Sequence, residues 1–565
     1  VGVNSEIRAL QRRDKPLIVQ SDRSVFLDTD HPDYEDARDH LARFAELVKS
    51  PEHLHTYTIT PLSLWNAAAS GLSADHIVEN LSQFSRYELP ANVVADIRDF
   101  VNRYGRVKLL EKGGGLILQC DDSYLSKEIQ LHKTVKPFLL GPVTDTELLV
   151  RPGTRGHLKQ AMIRIGYPVE DLAGYQAGES LAIGLRRKCL SGKDLVMRRY
   201  QREAIDAFYA GGSAAGGSGV IVLPCGAGKT MVGMGVMEEV GMHTLILVTN
   251  IIALRQWRDE LLDKTDLNEG LIAEYSGEEK AILPVTISTY QIMTYRRTRD
   301  EDFIHFPLFN EHPWGLIIYD EVHLLPAPVF RAVAEIQSKR RLGLTATLIR
   351  EDGKEDDVFS LIGPKRYDVP WKELEAQGWI AQAVCKEIRL PLATESRLDY
   401  ALAGERRKFT VASSNPAKMR VVEKLLEAHK NDSVLIIGQF LEQLEQLAVK
   451  FKLDLITGAV PNWKREELYN RFRRGDLKTL VVSKVANFAL DLPCANVAIQ
   501  VSGTFGSRQE EAQRLGRILR PKPDENQATF YTIVTRDSRE AEFAMNRQLF
   551  LTEQGYHYDI EFWEK

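Results

Sequence analysis

The chain has 565 residues, 44% of them hydrophobic, and a formal charge of −5, with a pI near 6.3. That length implies three or four domains. The near-balanced charge excludes adhesion to polyanions over the whole surface, while leaving room for a local basic groove. Cys120, Cys189, Cys225, Cys385 and Cys494 are scattered with no CxxC pair. This argues against a disulfide framework or a cysteine zinc site and fits a reducing cytoplasm. No apolar run approaches the length of a membrane span, and residues 1–16 lack the apolar core of a signal peptide.

In chain order, residues 17–29 read as two short strands around a polar turn, and Asp33–Lys49 as an amphipathic helix. Three short helices are expected next: Leu62–Ser70, with Thr60 as cap and Pro61 in the first position, Ser73 to about Ser85, and Pro90–Tyr104. With a strand at Arg106–Leu110 they suggest a winged-helix-like domain over 1–105. Residues 106–175 pattern as a small α/β domain, with strands at 106–110, 115–120 and 147–151 and helices near 122–131 and 154–165. Residues 176–193 read as a linker.

From Asp194 the character changes. A helix over Leu195–Tyr209 and a glycine-rich loop at 211–219 precede apolar strands at Val220–Leu223, Thr244–Val248, Val285–Ser288, Gly315–Tyr319 and Arg341–Leu344. Continuous apolar runs separated by helical pattern indicate a parallel, helix-flanked sheet. A second series follows at Ser433–Ile437, Leu453–Thr457, Thr479–Ser483, Val497–Gln500 and Thr529–Val534. The expectation is an α/β chain with two tandem parallel-sheet lobes, 194–365 and 426–565, separated by an insertion or linker over 366–425.

The stretch VIVLPCGAGKTM (220–231) runs from strand through glycine turn into helical pattern, the layout of a phosphate-binding loop. Pro224, Cys225, Gly226, Ala227 and Gly228 can wrap backbone amides around phosphate oxygens at a helix N-terminus. Lys229 would reach the terminal phosphates, and the Thr230 hydroxyl would hold Mg²⁺. Leu223 stands where the strict pattern has glycine; the alternative is a plain glycine turn. Strand 315–319 runs into Asp320-Glu321-Val322-His323. An acidic pair at a strand end in the same sheet is placed for a nucleotide, Asp320 holding Mg²⁺ and Glu321 polarising the attacking water. Thr345 and Thr347 form a hydroxyl-rich turn able to relay a change at the phosphates; taken alone, the pair reads as an ordinary Ser/Thr turn. In QEEAQRLGRILRP (509–521), Gln513, Arg517 and Arg520 share one helical face, and guanidinium forks suit phosphate.

Phosphate loop, DEVH, TAT and QRLGRILR in this order resemble a superfamily-two helicase motor. DEVH followed by LLPA (324–327), GLTATLIRED (343–352) and QEEAQRLGRILRPK (509–522) resemble the XPB helicases in particular. RRYQREAI (198–205) is similar to the glutamine motif, carrying Arg199 and Gln201. VTNIIALRQW (248–257) and STYQ (288–291) are similar to the strand-tracking motifs, and VVSKVANFALDLP (481–493) to the second-lobe motif carrying Asp491, with Ala486 where glycine is usual. The lobes are then RecA-like, and 106–175 is damage-recognition-like.

The resemblance implies ATP and Mg²⁺ as cofactors and a 3′→5′ DNA helicase or double-strand translocase acting in nucleotide excision repair or duplex opening. Forked, damaged or duplex DNA would be the partner, with a family-associated nuclease for any cutting. Arg350-Glu351-Asp352 would wedge strands apart, residues 370–420 with Arg406-Arg407-Lys408 would form a thumb, Gln201 would read adenine, and Asp491 would belong to the nucleotide site. DNA phosphates fall to Thr249, Arg255, Ser288, Thr289 and Ser483, with His323, Thr345 and Thr347 as coupling residues. An RNA helicase, and an ATP-switched scaffold that needs a partner, are the alternatives.

Overall fold

The computed structural model describes residues 15–50, 53–173, 178–213, 216–277, 279–295, 297, 304–305, 308, 312–324, 340–347, 355–483, 495–504, 507, 511, 514–516 and 527–563. The chain divides into two compact units. One comprises Val1–Leu223 with Gly228–Val369, the other Pro370–Lys565 with the short segment Pro224–Ala227.

The first unit holds three sheets. Its largest is seven-stranded and parallel, in spatial order Ile272–Tyr275, Val285–Thr289, Thr244–Val248, Leu316–Asp320, Arg340–Thr345, Ser218–Val222 and Lys365–Asp368. Thr244–Val248 and Ser218–Val222 are buried throughout, the signature of strands covered on both faces. All five expected strands are present, and two edge strands join them. Ile272–Tyr275 and Lys365–Asp368 are four residues each and half-exposed in part, too short and too polar to stand out as apolar runs.

Before this lobe lie two smaller sheets. Leu17–Val19, Ser24–Asp28, Leu54–Thr58 and Glu46–Lys49 form a four-stranded antiparallel sheet in that order. The expected helix Asp33–Lys49 is therefore corrected. It covers only Tyr34–Leu41, and Glu46–Lys49 leaves it to pair with Leu54–Thr58. Leu47 is buried either way, so its periodicity does not discriminate. The three helices Pro61–Ala69, Ala74–Phe84 and Ala91–Arg103 are present, the first closed by a Thr60–Ser63 capping box with proline inside it. The strand that follows, Val107–Lys112, pairs in the next sheet rather than against these helices. That five-stranded sheet runs Leu139–Pro142, Glu147–Val150, Gly115–Cys120, Val107–Lys112, Val169–Asp171, with helices Ser123–Leu131 and Arg155–Arg164.

The second unit repeats the parallel design: Asp454–Ile456, Thr479–Ser483, Val434–Gly438, Val497–Gln500, Gln527–Thr535, Gln382–Leu390 and Tyr558–Phe562. This corrects the insertion expected over 366–425. Its nine-residue strand Gln382–Leu390 lies inside the second sheet, paired on both sides. The stretch also carries the short helices Trp371–Ala376, Arg397–Leu402 and Glu405–Ser413, with Arg406 and Arg407 exposed on the last. A strand whose partners lie more than a hundred residues downstream has no local signal that separates it from a linker.

The small five-stranded domain is fastened to the first lobe by charge. Arg155 donates to both oxygens of Asp171, at 2.5 and 3.2 Å, and Lys159 Nζ lies 2.9 Å from Asp171 Oδ2. Arg341, fully buried on strand Arg340–Thr345, approaches the same oxygen at 4.0 Å and donates to Ser218 Oγ at 2.9 Å. Burial alone would raise the Asp171 carboxyl. Lys159 and Arg155 outweigh it and hold the group well below the usual carboxylate range. Burial presses Lys159 down to about 8 against the pull of Asp171. Gln160 adds a bond to Asp357 at 2.8 Å. Asp171→Ala strands three buried cations and is expected to cost about 3–5 kcal/mol. Urea unfolding of the whole chain should show an earlier first transition, whereas an unchanged one would mean that the cluster is energetically neutral.

Candidate active site

The phosphate-loop segment leaves strand Ser218–Val222 with one further pairing, Leu223 N–H donating to the Thr345 carbonyl at 2.9 Å. Leu223 is fully buried. It prolongs the strand, which accounts for an apolar residue where the strict motif has glycine. Gly226 and Gly228 both take left-handed backbone at φ 84°. The positive φ favours glycine at Gly228, and a β-carbon there would also meet Gln201 Nε2 at 2.5 Å. Helix Lys229–Val240 begins immediately after.

Across the sheet, strand Leu316–Asp320 delivers the acidic pair to the same C-terminal edge, where ligands of open α/β sheets bind. Lys229 Nζ lies 3.1 Å from Glu321 Oε1, with the two side chains 12% and 22% exposed. Glu321 holds a positive φ of 51°, a conformation costing about 1–2 kcal/mol for a non-glycine residue. Asp320 Oδ1 accepts from the Glu321 N–H at 3.1 Å and Oδ2 from Trp257 Nε1 at 2.9 Å. Tyr290 Oη donates to the Asp320 carbonyl at 2.8 Å. Burial, reinforced by the Glu321 charge and opposed by Lys229 and the Trp257 bond, pushes the Asp320 carboxyl up to about 6.

His323 continues the array. Its Nδ1 is 3.6 Å from Glu321 Oε2 and 2.5 Å from Thr345 Oγ1. Thr345 donates its single hydroxyl proton to the Thr347 carbonyl at 2.5 Å and accepts from the Thr347 N–H at 3.2 Å. The His323–Thr345 bond must therefore be donated by Nδ1–H, which fixes the tautomer. Lys229, Glu321, His323, Thr345 and Thr347 thus form one continuous polar path.

Comparison with known proteins gives the family of the chain. Residues 374–562 match the ERCC3/RAD25/XPB C-terminal helicase family, 194–350 the type III restriction enzyme res subunit family, and 17–143 a helicase conserved C-terminal domain family. The chain is 54% identical to the DNA 3′-5′ helicase XPB of Mycobacterium tuberculosis over 97% of its length and 98% of that protein. It is 51% identical to the protein of the same name from Kineococcus radiotolerans, over 97% and 96%. A general transcription and DNA repair factor IIH helicase/translocase subunit XPB from Enterocytozoon bieneusi is 32% identical, over 96% and 92%. The chain belongs to the XPB helicase family.

Other motif residues of this XPB-family chain are placed unevenly. Gln201 is buried, and its Oε1 accepts the Arg198 N–H at 2.9 Å, bringing its amide nitrogen against Gly228. Arg199 is not brought to the loop: its side chain is 93% exposed and pairs with Glu203 at 2.7 Å. Thr249 is half-buried and accepts from Asn250 Nδ2, while Arg255 is exposed on helix Ile251–Lys264. The Ser288 hydroxyl donates to the Tyr275 carbonyl at 2.9 Å, and the Thr289 hydroxyl caps the next turn at Ile292 N–H. Ser483 is buried at its strand end. Arg350, Glu351, Asp352, Asp491, Gln513, Arg517 and Arg520 lie outside the described residues.

The sequence reading missed Trp257 and Tyr290, which sit inside quoted motifs but carry no phosphate chemistry. It also missed a buried network in the second unit. Gln500 donates to Glu511 at 2.9 Å and accepts from Arg514, while Arg547 pairs with Glu511 at 3.4 Å and donates to the Thr504 carbonyl at 2.8 Å. Arg514 shares the QRLGR stretch with the arginines that were singled out, yet it is fully buried.

Because ionising Asp320 is harder in the folded chain than in the unfolded one, its contribution to stability is complete below the ordinary aspartate range and lost as pH rises through about 6. The cost at neutral pH is about 3 kcal/mol. Asp320→Asn should therefore raise the melting temperature of the nucleotide-free protein at pH 7.5, by more than at pH 4. An equal or lower value at pH 7.5 would contradict this electrostatic account.

Proposed function

We propose that this chain hydrolyses ATP at the Lys229–Glu321 edge and uses it to separate DNA strands with 3′→5′ polarity. The observation that supports this most directly is the 3.1 Å pair of Lys229 with Glu321 beside Asp320, in a chain whose near full-length relatives are named as DNA 3′-5′ helicases. Amides of residues 224–228 and the Lys229 ammonium take the phosphates. A triphosphate competes with Glu321 for Lys229. Once released, Glu321 is free to accept a proton from the attacking water. Thr230 and Asp320 offer the hard oxygen donors that suit Mg²⁺, which would neutralise phosphate charge when bound. Gln201 steadies the loop and lies on the adenine side, while Arg517 and Arg520, with Gln513, are assigned to the charge that develops on the phosphate. Asp491 belongs to the same nucleotide assignment.

His323, Thr345 and Thr347 relay the state of Glu321 to the segment that leads into Arg350-Glu351-Asp352, our assignment for the strand wedge. DNA is gripped through its phosphates by Thr249, Arg255, Ser483 and the segment at Ser288 and Thr289. Affinity should accordingly be salt-dependent and sequence-poor. The exposed Arg406 and Arg407 extend that grip. Excision repair is the setting the family resemblance favours, with an associated nuclease supplying any cut. Among the described residues no helix is long and apolar enough to cross a membrane.

Strand displacement on forked duplexes with a single 3′ or 5′ tail tests this reading. Displacement should need ATP and the 3′ tail, and Lys229→Ala should reduce hydrolysis by at least roughly 10²-fold. Arg350→Ala should spare hydrolysis and impair displacement; equal loss of both would remove the wedge assignment. Displacement of RNA duplexes alone would move the chain to another helicase branch.

A further inference from the structure

Two donors that no phosphate chemistry requires converge on Asp320. Trp257 is buried on helix Ile251–Lys264 and gives its Nε1–H to Oδ2 at 2.9 Å, while Tyr290 Oη reaches the main-chain carbonyl at 2.8 Å. Each donor ends a segment assigned above to DNA. Trp257 lies just beyond Arg255, on the helix capped by Asn250, whose side chain also bonds Thr249 at 3.1 Å. Tyr290 directly follows Thr289, whose hydroxyl caps the turn Tyr290–Met293. The strands preceding these segments are neighbours in the sheet, Val248 opposite Thr289, and Thr244–Val248 also flanks the strand of Asp320, Leu247 opposite Tyr319.

The indole has a second constraint. A β-carbon at Gly233 would come within 2.6 Å of Trp257 Cη2. Gly233 lies one turn past Lys229 on the phosphate-loop helix, where its missing side chain makes room for the ring. Trp257 therefore packs the far edge of its six-membered ring at the phosphate-loop helix and gives its N–H to Asp320. A hydrogen bond to a carboxylate is strong and weakens steeply as its angle opens. A small rotation of helix Ile251–Lys264 would thus re-aim the Asp320 carboxylate.

We propose that Trp257 and Tyr290 are positioning residues that couple DNA at the 249–255 and 288–289 segments to the binding of ATP with Mg²⁺ at Asp320. The inference rests on the function proposed above and adds the route by which DNA regulates that site. Coupling of this kind is reciprocal: whatever factor DNA contributes to nucleotide affinity, nucleotide contributes to DNA affinity.

The test is a binding titration of the full chain. A fluorescent ATP analogue with Mg²⁺ is titrated with and without forked DNA into wild type, Trp257→Phe, Tyr290→Phe and Lys229→Ala, each checked by thermal melting. Tyr290→Phe keeps the ring and deletes only the hydroxyl donor, whereas Trp257→Phe deletes the N–H together with the part of the indole that packs at Gly233. Wild-type affinity should rise on DNA. That factor should fall roughly tenfold in Trp257→Phe, the loss expected for one hydrogen bond to a charged group, and several-fold in Tyr290→Phe. The same decline should appear in the effect of nucleotide on DNA affinity. A factor unchanged from wild type in both variants, with melting preserved, overturns the inference and leaves both residues as packing. Lys229→Ala binding nucleotide as tightly as wild type would instead overturn the reading of the site itself. Should Trp257→Phe fail to fold, Tyr290→Phe decides alone.

Discussion

The pairing of Lys229 with Glu321 is the constraint on which the first lobe depends. One residue opens the helix after strand Ser218–Val222 and the other closes strand Leu316–Asp320, with Arg340–Thr345 between them in the sheet. Half-buried, each is held by the other, and under the function proposed here a triphosphate would have to separate them. The neighbouring carboxylate bears the strain of that arrangement: Asp320 cannot ionise easily beside Glu321 in the same low-dielectric edge. Stability is sacrificed where chemistry needs charge.

Around this pair the polar contacts run in two directions. One leads through His323 into Thr345 and Thr347, toward the segment that carries the wedge assignment. The other leads from Asp320 to Trp257 and Tyr290, toward the segments assigned to DNA. The small five-stranded domain docks on the same lobe at two points. Arg341 lies beside Asp171 on the strand that ends at Thr345, and Asp357 accepts from Gln160 on the helix after the wedge segment. That domain is thus fastened to the strand that ends at Thr345 and to the helix Glu355–Leu361.

Much of this was legible in residues because parallel, doubly covered strands must be continuous apolar runs. LILV, LIIY and the second-lobe VLII announce themselves, and the glycine turn before Lys229 has few other uses. What escaped had a physical reason in each case. Gln382–Leu390 alternates like any half-buried strand, but its partners are Gln527–Thr535 and Tyr558–Phe562, which nothing local identifies. Glu46–Lys49 continues a helical pattern until Leu54–Thr58 captures it. At the site, motif letters marked Lys229, Asp320 and Glu321 but not Trp257 and Tyr290, which bond to Asp320. An indole N–H bound to a carboxylate looks in sequence like one more core tryptophan. Arg514 shows the converse, an arginine in the same motif as those expected to reach phosphate that is wholly buried in a hydrogen-bonded network.

The account stands or falls on whether Glu321 acts on water after Lys229 is drawn away by phosphate. Glu321→Gln keeps the size of the side chain and removes its basicity. ATP turnover in the presence of single-stranded or forked DNA, measured beside ATP binding on the same preparation, tests this directly. The expected result is retained or tightened binding, since Lys229 is freed from its partner, with turnover lowered by roughly 10²–10⁴-fold. Turnover close to wild type would contradict this role, because the water would then be activated by another group and the half-buried Lys229–Glu321 pair would serve the fold alone.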